Sequence, residues 1–551
     1  MTQTTQTTPK KRPNILILVE DQWQTHMELP EDVPLPALRR LEAQGVSFDR
    51  TYCTVPMCTP SRATMWTGQH AVNIGMWDNT NFAWTAQGLS PEVTTVGHML
   101  RDEGYYTALK GKWHVSEMPR SENALEKFGF SDVQQWGEMY GAPMQGIQLD
   151  HAAAFEAIDW LENKGSKLDQ PWMLIVSLVN PHDVMFMVPD ESISANGGFA
   201  GAAQHPIQEM PFFQKQWDIK LPKNFAVNDE QQPSGVQHYR EYIDLNFGLI
   251  PGEREDLWLK QRNYLVNCMR LVDMEFNKIL DALDRLKLWD DTIVIYTGDH
   301  GEMNGAHGLT QKGGIHYDEA AVVPLIACVP GGVQGKRTGA VASLVDLVPT
   351  IMDFAGVSEE KLKEKHPKVV GRSLRSVIEN PEQAGPRGSG EQPGDGVLVM
   401  WDALHSLDHE WAEKAGNDIT DLEGGTKTEE EVAETVAAAG EKYGAPDMSI
   451  RGFMRYVVDG HYKLVRYFSP NEYGNPASVE ELFRMGDIGM YDLKNDPGEM
   501  ENIADRNHPR HNAEALERLT AKLHKLVADE IGEDTRPFDP AMFGEEFAQQ
   551  K

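Results

Sequence analysis

Short, largely apolar runs recur along the first two thirds of the chain, at residues 15–19 (Ile-Leu-Ile-Leu-Val), 105–109, 172–179 and 292–296. They are too brief for buried helices and lack the strict alternation of a strand with one wet face. Strands buried on both faces read in this way. The stretches between them are long enough for crossover helices. The pattern therefore predicts an α/β fold, a large, mostly parallel sheet flanked by helices.

Past residue 380 the pattern changes. A Gly-, Pro- and polar-rich stretch at 382–395 reads as a linker. Beyond it a strand is expected at 397–401, and a hairpin at 453–458 and 461–467 around Asp459-Gly460, a dipeptide favoured in tight turns. A helical stretch at 512–531 closes this part. The expectation is a catalytic domain at 13–385 and a smaller α+β domain at 396–535, its antiparallel sheet packed on that helix. The acidic stretch 408–441, with Glu429-Glu430-Glu431 inside it, reads as a solvated helical insertion, its alternative being a lid or an oligomer contact. No internal repeat is apparent.

The residues just past each early run carry the chemistry. After the first come Glu20 and Asp21, after the second Lys112 and His114, after the third His182 and Asp183, and after the fourth Asp299 and His300. Open α/β sheets bind ligands beyond the carboxyl ends of their strands, so four strands would deliver ionisable groups to one edge. Hard oxygen donors with one imidazole suit Ca²⁺, Mg²⁺ or Mn²⁺ better than a thiophilic metal.

A nucleophile candidate lies between the first two of these. Cys58-Thr59-Pro60-Ser61-Arg62 runs on to Thr67-Gly68, with Pro60 suited to a first helical position and Gly68 to a helix end. Backbone N–H groups at such a helix start favour an anion, and Arg62 adds a forked cation. Read alone, Cys58 is also compatible with a buried structural thiol.

This run resembles the signature of the type I sulfatases of the alkaline phosphatase superfamily, in which the Cys of C-x-P-S-R is converted after translation to formylglycine. Gly111-Lys112-Trp113-His114, Asn180-Pro181-His182-Asp183, the stretch from Asp299-His300-Gly301 through His307-Gly308 and Lys312 to Tyr317-Asp318-Glu319, and Tyr491-Asp492-Leu493 through Pro497 and Glu499 match further family segments in order. The resemblance implies an alkaline phosphatase-like sandwich and one divalent metal, Ca²⁺ in the first instance, held by Glu20, Asp21, Asp299, His300 and converted Cys58. Glu20 departs from the usual Asp, as in the choline sulfatase and phosphonate monoester hydrolase branches, and Val322 stands where the family usually has Arg. By the same resemblance the metal and Arg62 would lower the pKa of the attacking hydroxyl of converted Cys58 and polarise the sulfuryl oxygens, Lys112 and Lys312 would neutralise developing charge, His182, assisted by Lys312, would protonate the leaving oxygen, and His114 would act as the base that releases sulfate. The implied reaction is hydrolysis of a small sulfate monoester after maturation by a formylglycine-generating enzyme. Phosphonate monoester or phosphodiester hydrolysis, and a non-catalytic anion-binding protein with Cys58 left as a thiol, are the alternatives.

Charge and composition narrow the partners. The 551-residue chain has 51 Lys and Arg against 84 Asp and Glu, a net charge of −33, which argues against nucleic acid and anionic membrane. Any anion must then be drawn by a local cationic cluster. Four Cys in so long a chain make no disulfide framework. The apolar run after the basic Lys10-Lys11-Arg12 is too short for a signal peptide or a membrane span, so a cytoplasmic protein is expected. A homo-oligomer would be unsurprising. Trp66, Trp77, Trp84 and Trp113 lie near the motifs and could stack on an aryl group or cage a quaternary ammonium, or simply pack the core.

Overall fold

Eleven strands build two sheets in the computed structural model, which describes residues 12–190, 193, 210–227, 229–420 and 427–547. The polar N-terminal residues 1–11, with Lys10 and Lys11, and positions 421–426 of the acidic stretch lie outside the described residues. In chain order the first sheet contains β1 (Asn14–Asp21), β2 (Val46–Tyr52), β3 (Tyr106–Gly111), β4 (Trp172–Pro181), β5 (Thr292–Gly298), β6 (Val322–Cys328) and β7 (Lys336–Ser343). Across the sheet their order is β3-β4-β1-β5-β6-β2-β7.

β1 sits in the middle, parallel to both β4 and β5, and every one of its residues is buried. Its side chains alternate between two cores. Ile15, Ile17 and Val19 join one apolar cluster, while Leu16 and Leu18 join the other, where the helices Pro36–Gln44, Gln145–Asn163 and Glu255–Arg285 contribute Leu41, Ala157 and Phe276. With both faces covered, an alternating pattern has no wet side to record, which is why β1, β4 and β5 appear as apolar runs.

The remaining strands of this sheet are less legible. β6 runs antiparallel to both β5 and β2, and β2 is parallel to β7. β2 has partly exposed Asp49 and Arg50 in its middle, β7 opens on exposed Lys336 and Arg337, and Pro324 interrupts β6. Those residues break the apolar runs that a pattern search would follow.

The second sheet is an antiparallel meander of β8 (Val397–Trp401), β9 (Phe453–Val458), β10 (Tyr462–Phe468) and β11 (Asp487–Asp492), in the order β11-β10-β9-β8. The helix Ala513–Leu526, capped by Asn512, packs on it and runs into a π-helical turn at Val527–Ile531. Val399, Tyr456 and Val465 of this sheet share one apolar cluster with Ile15 and Ile17 of the first, so one core joins the two sheets. The acidic stretch forms the helices His409–Ile419 and Glu429–Tyr443. Their outer faces are charged, while Trp411, Ala415, Val432 and Val436 are buried against Trp77, Phe82 and Trp84.

Between the sheets, the stretch 382–395 that composition marks as a linker is tied down by a buried charge cluster. Arg387, with no exposed surface, donates to Asp346 at 2.7 and 2.8 Å and to Glu530 at 3.2 Å, and Glu530 also meets His70 at 2.7 Å. Burial would raise the Glu530 carboxyl, but Arg387 and His70 outweigh it and hold the pKa down at about 2. A carboxylate depressed from an ordinary value of about 4.5 contributes stability above that value, and the contribution disappears as pH falls through 2. Glu530→Gln should therefore cost roughly 3 kcal/mol at neutral pH and flatten the loss of stability between about pH 5 and 2, as read from denaturant midpoints across that range.

Candidate active site

The strand ends converge as the alternation of chemistry along the chain suggests. Asp21 is the last residue of β1, Lys112 follows β3, His182 follows β4, and Asp299 and His300 follow β5. Beside them the helix Cys58–Thr67 begins with Cys58 itself and ends on Gly68, whose φ of +66° supplies the left-handed turn that a helix end favours. Pro60 is thus the third helical residue rather than the first, still within the turn where its missing N–H is harmless. Asn79 Oδ1 accepts from the Thr59 N–H, and Ser61 Oγ donates to the Asp299 carbonyl at 2.6 Å, which pins the helix start to the end of β5.

Asp21, Cys58, Asp299 and His300 are buried and each directs a ligand-type atom into a space within which these atoms lie at most 4.8 Å apart. Cys58 Sγ is 3.1 Å from His300 Nε2 and 3.8 Å from Asp21 Oδ1, and His300 Nε2 is 3.5 Å from Asp21 Oδ1 and 3.7 Å from Asp299 Oδ1. His300 Nδ1 lies 3.1 Å from the Gly301 carbonyl. A proton on Nδ1 leaves the Nε2 lone pair facing the cluster, the arrangement that metal-ligating imidazoles use. Two carboxylates and one imidazole suit a hard or borderline divalent cation, so the residues fit the ion that the motifs imply.

The flanking cations take two different positions. Arg62 is fully buried behind the carboxylates and donates to Asp299 Oδ2 at 2.8 Å, to Asp21 Oδ2 at 3.2 Å and to Ser177 Oγ at 2.8 Å. It therefore orients the two carboxylates from behind and is not among the residues that line the cavity. Its geometry follows from the forked guanidinium, which sends separate nitrogens to Asp299, Asp21 and Ser177. Lys112 Nζ reaches Asp21 Oδ2 at 2.5 Å. Burial alone would raise Asp21, but Lys112 and Arg62 outweigh it and hold its carboxyl well below the usual range. The Cys58 thiol is likewise lowered: burial and Asp21 push it up, and Lys112, His300 and Lys312 push it further down. The position beside Cys58 is thus receptive to negative charge.

Cys58, His114, His182 and Lys312 line a cavity of about 260 Å³ that opens from this cluster. His114 has a φ of +54°, and its Nε2 lies 3.0 Å from Asn81 Oδ1, while Nδ1 has no hydrogen-bond partner among the described residues. Burial, then Lys112 and Arg62, hold it well below the ordinary imidazole value, so it is neutral and able to accept a proton. His182 is also held neutral, by burial and then by Lys312. The loop at Gly141 presses against both His182 and Lys112: a Cβ there would lie 2.9 Å from His182 Cε1 and 3.1 Å from Lys112 Nζ, on a backbone with φ of +93°. Only glycine allows that approach.

Glu20 is not brought into the cluster. An extended strand sends successive side chains to opposite faces, and with Asp21 facing the cluster Glu20 turns to the other core, where it accepts from Tyr296 Oη at 2.6 Å. The residue that sequence reasoning misses is the other neighbour of Asp21, Gln22. Fully buried with a φ of +70°, Gln22 accepts from Lys312 Nζ at 2.5 Å through Oε1 and donates to Glu302 Oε2 at 2.5 Å. Its amide oxygen is a neutral hard donor at the end of β1, and its position directly after Asp21 was the available signal. Of the four tryptophans near the motifs, Trp66 and Trp113 are core residues, and Trp77 and Trp84 pack with the acidic helices; none lines the cavity. Trp401, Phe82, Tyr239 and Tyr242 do.

The sulfatase family model matches residues 13–357, and the chain belongs to that family: it is a sulfuric ester hydrolase by descent, within the alkaline phosphatase superfamily. Among curated relatives it is 27% identical over 392 residues to the uncharacterized sulfatase YidJ of Escherichia coli (strain K12), covering 64% of this chain and 69% of that one. It is 29% identical over 358 residues to arylsulfatase K of Bos taurus, covering 63% of each. Its fold is that of a 2-O GAG sulfatase, with a TM-score of 0.65 at 20% identity over 97% of this chain and 96% of the other. A phosphonate monoester hydrolase from Silicibacter pomeroyi superposes with a TM-score of 0.61 at 19% identity, over 96% and 100%.

Metal titration separates the ligands from the bystander. Glu20→Gln should leave divalent-metal affinity unchanged, whereas Asp299→Asn should weaken it by at least about tenfold, measured calorimetrically on the purified chain.

Proposed function

We propose that the protein hydrolyses sulfate monoesters of apolar, chiefly aromatic, alcohols through a formylglycine hydrate formed from Cys58. The observation that carries this reading is the position of Cys58: at a helix start, on the wall of the cavity, 3.1 Å from His300 and beside Lys112 and Lys312. The rest of the cavity supports the nature of the alcohol. Phe82, Tyr140, Phe186, Tyr239, Phe247 and Trp401 line it, and no carboxylate among the described residues does. Flat apolar groups bury well against such walls. The name of the bovine relative, an arylsulfatase, agrees with this choice.

The residues account for each proton. A thiol attacking sulfur would leave an adduct with no internal route of release. As a hydrated aldehyde, residue 58 carries two hydroxyls: one, whose proton would pass to solvent once the divalent ion lowers its pKa, forms the new bond to sulfur as the ester oxygen leaves with its bonding pair. His182, with the Lys312 ammonium as proton source, delivers the proton to that oxygen. The second hydroxyl then loses its proton to neutral His114, the carbonyl reforms and sulfate departs. Asp21, Asp299, His300 and residue 58 would hold the divalent ion, which supplies Lewis acidity to the sulfuryl oxygens and the attacking hydroxyl. Arg62 and Lys112 hold the carboxylates in place and offset their charge, so that the anionic ester meets no net repulsion there.

A second reading, phosphonate monoester hydrolysis, draws support from the donor set itself. With Glu20 outside and an imidazole included, the cluster resembles the phosphonate monoester hydrolase branch, whose substrates carry the same single negative charge. Rates on nitrophenyl sulfate, nitrophenyl phosphate and a nitrophenyl phenylphosphonate decide between them. The sulfate should lead in kcat/KM by at least about tenfold, about 1.4 kcal/mol of transition-state binding. A faster phosphonate would establish the second reading.

A further inference from the structure

A second cluster of metal-binding groups lies outside the catalytic set and shares no residue with it. His238 and Glu241 stand one turn apart on the helix Ser234–Phe247, and His409 faces them as the first residue of the helix His409–Ile419. His409 Nδ1 is 3.7 Å and His238 Nδ1 4.0 Å from Glu241 Oε2, and all three ligand atoms lie within 4.8 Å of one another. None of these separations is a hydrogen bond. His238 Nδ1 is sealed from solvent and has no hydrogen-bond partner among the described residues, although its ring is partly exposed.

We infer that His238, Glu241 and His409 form a site for a divalent transition metal of the zinc class. Two imidazoles and one carboxylate are a recurrent zinc donor set, with the fourth position left to water. A tetrahedral ion about 2.0–2.2 Å from each ligand keeps those atoms roughly 3.3–3.5 Å apart, so small side-chain rotations close the observed gaps. The i, i+3 spacing of His238 and Glu241 places both on one helical face. His409 comes from a different helix, so an ion here cross-links two elements.

The cross-link bears on the cavity wall. Tyr239, Tyr242 and Ile243, from the helix that carries His238 and Glu241, line the cavity, as does Thr420 at the end of the other helix. The ion would thereby fasten the acidic insertion to the wall that holds the alcohol portion of a substrate. It would take no part in the bond cleavage, since the catalytic cluster supplies its own ligands.

Equilibrium dialysis of the intact chain against Zn²⁺, followed by elemental analysis, tests the site. Wild type should hold one more zinc equivalent per chain than His409→Gln or Glu241→Gln, and the metal of the catalytic cluster, common to all, cancels in the difference. With Co²⁺ as probe, wild type should show the intense visible bands of a tetrahedral ion and both variants should lose that contribution. Equal zinc content in wild type and folded variants would overturn the inference.

Discussion

Everything in the catalytic region depends on keeping two carboxylates charged where there is no water. Asp21 ends β1 and Asp299 directly follows β5, adjacent strands at the centre of the sheet, and both are fully buried. Removing an ion from water costs several kcal/mol unless close partners and hydrogen bonds compensate. Arg62 compensates both at once, Lys112 adds a second contact to Asp21, and Ser61 fastens the helix that carries Arg62 to the end of β5. Cys58 lies one turn before Arg62 on the same helix, so fixing the carboxylates also fixes the nucleophile candidate. Charge compensation and positioning of the reactive residue are one interaction.

The central strands make that arrangement rigid. β1 is parallel to β4 and β5 and buried on both faces, so a shift of its register would move apolar residues between two filled cores. The second sheet contributes in another way, through the same apolar cluster and through Trp401 on the cavity wall. Lys463 of β10 joins Asp318 and Glu499 in a buried ion cluster that also ties the Tyr491–Glu499 turn to the strand ends of the first sheet. The turn that resembles a family segment therefore has a structural task, holding the two sheets together.

Much of this was legible in the chain. The four apolar runs mark the strands that present Asp21, Lys112, His182 and Asp299, and the hairpin around Asp459-Gly460 lies where turn chemistry puts it. The ordered motifs named nearly all of the polar groups that meet in space. The features hidden from the sequence depend on directions and on contacts between distant segments. Glu20 and Asp21 look equivalent as letters, and only the alternation of the strand with its packing on Tyr296 separates them. Arg62 reads as an anion binder until Asp21 and Asp299 are seen to enclose it. Gln22 carries no charge and so drew no notice, although its left-handed backbone turns its amide toward Lys312 and Glu302. The aromatic lining of the cavity comes from segments far apart in sequence, and the tryptophans nearest the motifs proved to be core residues.

The central claim is that Cys58 is the precursor of the nucleophile, and the most direct test is the mass of the peptide that contains it, from protein produced in a host with a formylglycine-generating system. The account predicts a loss of about 18 Da relative to the thiol, the signature of the aldehyde that enables covalent catalysis at this position. A peptide that retains the full thiol mass in such a host, from protein that still hydrolyses sulfate esters, would contradict it and assign the nucleophile elsewhere.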